Sequence, residues 1–144
     1  MNSETSEEEL FHQLSYYTGA HEGADFIHQH AVDAFTSQNA DESTKPITLT
    51  FALVGLYLMI DKNFTGKEVQ KAHIKMAKHQ KRWPKFNLPQ NRGNIRIQDV
   101  LNTPQGSELD NAIRQWCISV WGAYKQSHEQ VAKLVSKELW KGKP

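Results

Sequence analysis

The chain has 144 residues, 38% apolar and 23% charged, with seven His, four Trp, one Cys and a formal net charge of +1. Length and composition fit one compact domain over 1–144, because area scaling lets a chain of this size bury about two thirds of its unfolded surface. The lone Cys117 excludes an internal disulfide framework, a Cys-based zinc finger and an iron–sulfur cluster, and it fits a reducing, cytoplasmic compartment.

The start of the chain, Met1 to Glu9, is polar and acidic. The longest apolar run, Phe51 to Ile60, is far shorter than the roughly 18 residues of a membrane span. Neither secretion nor membrane insertion is expected. Ser6 followed by Glu9 reads as a capping box, and Leu10, Phe11, Leu14 and Tyr17 recur at helical spacing, which predicts a short amphipathic helix over 7–17. Gly19 and Gly23 interrupt the pattern. Asp25 can then cap a second helix from Phe26 to Gln38, which carries no Lys, Arg or Glu and so should be packed on several sides. After a polar loop, Pro46 suits the first position of a third helix running to Ile60, apolar almost throughout and the expected central core helix.

Thr65 and Glu68 form a second capping-box pattern, predicting a fourth helix from Gly66 to about Gln80. Pro84, Pro89 and Gly93 mark residues 83–97 as a loop, extended near Ile95–Ile97. One helical turn is expected over 99–102. Ser107 should then cap a long last helix on which Ile113, Trp116, Val120, Tyr124, Val131, Leu134 and Val135 fall within about 60° of one line.

Charge is strongly separated along the chain. Residues 1–44 hold nine acids and no Lys or Arg, whereas residues 62–96 hold ten bases and one acid, Glu68. Such asymmetry fits a basic binding face, or acidic and basic segments that meet within the fold or across a homodimer. Lys67, Lys71, Lys75, Lys78 and Arg82 share one arc of the fourth helix, with Trp83 and Phe86 just beyond. A solvated helix face is the simpler reading, an acidic protein partner fits the same stripe, and nucleic acid ranks lower because the pI of 7.9 is below that of a dedicated nucleic-acid module.

His28, His73 and His128 each fall among apolar neighbours on their own helix, and Asp33 is the one carboxylate inside the second helix. Neutral imidazoles with a carboxylate suit a divalent transition metal such as Zn, Fe, Ni or Mn. No HExxH or HxxxH spacing is present, and histidines hydrogen-bonded inside the core are the commoner arrangement. His28 and Asp33 lie about 140° apart on an ideal helix, so one ion would more easily take His30 with Asp33, in a more exposed site. Cys117 lies on the apolar stripe with no neighbouring base, a poor nucleophile.

The segment Phe26-Ile-His28-Gln-His-Ala-Val-Asp33-Ala-Phe35-Thr-Ser-Gln38, the Phe51–Leu58 helix and the Trp116…Trp121…His128 ending resemble a family of uncharacterised bacterial proteins known as a domain of unknown function. The resemblance covers nearly the whole chain and singles out His28, Asp33, Phe35, Gln38, Trp121 and His128. Relatives in that family carry an N-terminal cysteine pair for zinc. This chain has no cysteine there, so that site is not expected. A more distant likeness is to DinB-like metal-binding helical bundles, without their late His-x-x-x-His pair: Tyr124 and Ala132 flank His128 at that spacing.

The sequence thus predicts an all-α single-domain helical bundle of four main helices, with a loop-rich insertion before the long C-terminal helix. It also predicts an intra-bundle polar pocket for a small molecule or metal. Its metal ligands would be His28, His73 and His128, its catalytic groups Asp33 and His128, and its cofactor-binding residues Gln38 and Trp121. With a metal to activate water, such a pocket implies a hydrolase or transferase. The alternative is an interaction module that uses the basic helix face, with purely structural histidines.

Overall fold

A computed structural model describes residues 6–20, 26–78 and 82–140. Among these residues the fold is all helical: α1 (Glu7–Ala20), α2 (Ile27–Gln38), α3 (Pro46–Lys62), α4 (Gly66–Lys78), α5 (Ile97–Leu101), α6 (Ser107–Ala123), a 3-10 turn (Lys125–Ser127) and α7 (His128–Leu139). No described helix is long and apolar enough to cross a membrane.

Local chemistry explains most boundaries. Glu9 N–H donates to Ser6 Oγ at 3.2 Å and Ser6 N–H to Glu9 Oε1 at 3.2 Å, closing the first capping box. Thr65 and Glu68 close the second, at 2.9 and 3.2 Å. Pro46 opens α3, and Asn63 ends it in the left-handed conformation (φ 59°), a geometry asparagine tolerates. Asp25, the expected cap of α2, lies outside the described residues. The residue that precedes α2 is Phe26, itself left-handed at φ 46°, which is strained for a bulky side chain.

Three expectations need correction. The long C-terminal helix is broken at Tyr124–Ser127. In a continuous helix the Trp121 carbonyl would accept the Lys125 N–H; here it accepts Tyr124 N–H at 3.0 Å and His128 Nε2–H at 2.7 Å. Tyr124 is further tied away, its hydroxyl donating to Ser37 O at 2.6 Å. The turn expected at 99–102 begins instead at Ile97, because the Asp99 carboxylate accepts the Arg96 N–H at 2.9 Å; Arg96 just before it is extended, at φ −115° and ψ 167°. The cap of α6 is Gly106 at φ 108°, not Ser107. Tyr17 Oη fixes that corner, donating to Asp110 Oδ1 at 2.9 Å and accepting Gly106 N–H at 3.3 Å.

The two plainest segments occupy the centre. α2 packs against α1, α3, α4 and α6, and α3 against α2, α4, α6 and α7. One apolar cluster runs through all of them, including Leu14, Ala34, Leu53, Leu56, Met76, Ile113, Trp116 and Val135.

Candidate functional site

Asp33 is the most unusual group in this core. It is 2% exposed and sits on α2 directly above Gly55 of α3, where a Cβ would fall 1.8 Å from Asp33 Oδ2. Only glycine leaves room for the carboxyl. Oδ1 accepts a hydrogen bond from Gln29 Nε2 at 3.1 Å, while Oδ2 has no partner. Burial therefore holds the Asp33 carboxyl well above the ordinary carboxylate range, with the Gln29 bond only partly opposing it. Cys117 of α6 approaches from the third side, its Sγ 3.4 Å from His30 O. Burial, reinforced by Asp33, pushes its thiol far up, so Cys117 is an inert core group.

The three histidines expected to converge are each held elsewhere. His28 Nδ1 lies 2.8 Å from Thr18 Oγ1 of α1, and its ring stacks near Phe11. His73 Nε2 donates to Phe51 O at 2.7 Å with its ring stacked on Phe51, and burial lowers its pKa, partly offset by that bond. His128 Nε2 donates to Trp121 O, and the two rings stack at 3.8 Å. Among the described residues no group of three or more His, Cys, Asp or Glu could hold a metal ion. Among the described residues the most buried histidine is His30, at 1% exposure, so the more exposed His30–Asp33 site is a further correction. The helical wheel gave the angle of His30 but not the identity of the helix covering it.

Gln38 also has a geometry of its own. Its Nε2 donates to Ile95 O at 2.7 Å and Arg92 O at 3.2 Å, and its Oε1 accepts Trp116 Nε1–H at 3.0 Å. Arg92 Nη1 returns the contact to Gln38 O and Ala40 O at 3.1 and 2.7 Å, and its Nε donates to Pro89 O. Together they strap the 82–96 loop onto α2. Sequence reasoning missed Gly55, Arg92 and Trp116 as parts of these networks. An isolated glycine inside an apolar helix was the only signal available for Gly55.

The surface carries the other distinctive feature. Lys67, Lys71, Lys75 and Lys78 are all exposed along α4, opposite buried Val69, Ala72 and Met76. Among the described residues, ion pairs join Arg96 to Glu7 and Lys133 to Glu129, and none links an α4 lysine to an acid. Instead Lys67 Nζ sits 5.5 Å from the Phe26 ring, and Lys75 Nζ donates to Leu139 O at 3.1 Å. Ile74, 59% exposed, lies along one edge of this stripe. A cleft of about 250 Å³ on this helix is lined by Phe64, Leu139 and Trp140 together with Lys71, Lys75 and Glu68. A second cleft, about 410 Å³, has Arg82, Trp83, Lys133, Lys137 and Glu138 among its lining residues. Neither is lined by His28, Asp33, Gln38, His73 or His128.

Residues 5–125 match the model of a family described as "Family of unknown function (DUF5946)". His128 lies beyond the matched span. No curated protein and no solved structure matches the chain significantly.

Proposed function

The chain belongs to that family of unknown function, which brings no activity with it, and we propose that it is an interaction module docking an acidic protein surface on the exposed face of α4. The observation that carries this reading is the row Lys67, Lys71, Lys75 and Lys78, free of acidic partners among the described residues, with Ile74 exposed along its edge. Unpaired cations attract and orient a polyanionic partner over about a Debye length, while an exposed aliphatic side chain supplies a desolvated anchor. The apolar walls beside Lys71 and Lys75 extend that anchor.

Ile74 favours a protein partner over nucleic acid, because phosphate tracking uses cations alone and base stacking uses aromatics. A metal-dependent hydrolase or transferase has weaker support, since His73 Nε2 and His128 Nε2 already donate to backbone carbonyls. Fluorescence anisotropy with a labelled glutamate-rich helical peptide and a labelled DNA duplex tests the reading. Peptide binding abolished in Lys71→Glu/Lys75→Glu/Lys78→Glu is expected. Tighter binding of DNA with a steep salt slope, lost in the same variant, would replace this reading with a nucleic-acid one.

A further inference from the structure

Three large apolar side chains are well exposed among the described residues: Tyr16 at 87%, Ile74 at 59% and Ile118 at 47%. Ile74 lies on α4 beside the lysine row, and Tyr16 lies on α1 about two turns beyond the acidic first turn of that helix. Around Tyr16 on α1 stand Glu9, His12 and Gln13, all exposed and within about 60° of it on an ideal helix, with Glu8 close by. The acidic first 44 residues and the basic 62–96 segment are linked, among the described residues, by the single ion pair Arg96–Glu7. Among the described residues no ion pair engages Glu8, Glu9 or the α4 lysines.

We propose that a second copy of this chain is a partner for α4, docking the acidic face of its α1 so that Tyr16 of one molecule meets Ile74 of the other. This rests on the reading of α4 as a docking face and names an occupant for it. The spacing is matched: Glu9 precedes Tyr16 by seven residues and Lys67 precedes Ile74 by seven. With the two helices parallel, both intervals span about 10 Å, so apolar contact and charge pair form together. Opposite charge fixes register and favours encounter, and the aromatic–aliphatic contact excludes water at the centre. The contact is heterologous, joining different surfaces of the two molecules, so it closes into a dimer only if both copies reciprocate and otherwise extends as a chain. A single helix pair is a small interface, so association is weak and rises with protein concentration.

Sedimentation velocity over a concentration series, at low salt and at about 0.5 M NaCl, where the Debye length falls to roughly 4 Å, reads this directly. The wild-type chain should gain mass with concentration at low salt and return to monomer at high salt. Glu8→Lys/Glu9→Lys alone and Lys67→Glu/Lys71→Glu alone should each be monomeric, and mixing them should restore association because the reversed faces now complement each other. Tyr16→Asp and Ile74→Asp, both at exposed positions, should abolish it without altering the circular dichroism spectrum. A wild-type chain that stays monomeric at every concentration, or a mixture that fails to associate, overturns the proposal. If it fails while the glutamate-rich peptide still binds α4, only self-docking is lost; if peptide binding fails too, the docking face itself is wrong.

Discussion

Replacing Gly55 by Ala should be among the most damaging single-methyl additions available in this protein. The new Cβ would lie 1.8 Å from Asp33 Oδ2 and 2.6 Å from Asp33 Cγ, inside a helix pair whose flanking side chains Val54 and Leu56 are fully buried. Neither partner has anywhere to go. Overpacking at this overlap should cost about 3 kcal/mol or more, against about 1 kcal/mol gained from replacing a mid-helix glycine, a net loss of about 2 kcal/mol or more. Removing the obstacle reverses the sign. In an Asp33→Ala background the same Gly55→Ala change meets no carboxyl and should stabilise by up to about 1 kcal/mol, giving a coupling energy of about 3 kcal/mol. Urea unfolding of the wild type, both single variants and the double variant measures all four corners, provided the slope with denaturant stays constant. Effects that add to within about 0.5 kcal/mol would refute the contact between Asp33 and Gly55.

Other consequences follow from the same core. The folded-state pKa of Asp33 is raised, so between the unfolded carboxyl value of about 3.9 and that raised value the folded chain holds a proton the unfolded chain lacks. The wild type therefore loses about 1.4 kcal/mol per pH unit from this group as pH rises through that window, and the advantage of Asp33→Asn over wild type should widen from pH 4 upward. An advantage that does not change with pH would show that Asp33 ionises freely. Gln38→Leu leaves Trp116 Nε1 and Ile95 O without their partner, which should cost about 1–3 kcal/mol per buried group and speed amide exchange across 92–96; unchanged exchange there would contradict the strap. His128→Ala loses a hydrogen bond and a stacked ring at the helix break, about 2 kcal/mol together, and thermal unfolding within about 0.5 kcal/mol of wild type would show that the break is held by other contacts.

What the sequence disclosed and what it hid divide along one physical line. Interactions closing within four residues were legible: Ser6 with Glu9, Thr65 with Glu68, Pro46 at the start of α3, and the lysine stripe with its buried opposite face. Interactions closing through space were not. The break before α7 arises because His128 reaches back seven residues to the Trp121 carbonyl, and no helical periodicity encodes that. Asp33 and Gly55 are 22 residues apart, and Gln38 meets Trp116 across 78. The inward angles of His28, His73 and His128 were correctly suggestive of apolar surroundings. Whether three arcs share one centre depends on which neighbour covers each, and here those neighbours are α1 for His28, α3 for His73 and the end of α6 for His128.

Whether the exposed face of α4 docks an acidic protein surface can be read from a titration of isotope-labelled protein with the glutamate-rich helical peptide, followed by amide nitrogen–proton correlation spectra. Saturating shifts confined to residues 67–78 and the adjoining Phe64 and Trp140, vanishing at high salt and in Ile74→Asp, are the predicted result. Shifts clustered around Asp33 and Gln38 instead, or none at all along α4, would contradict it.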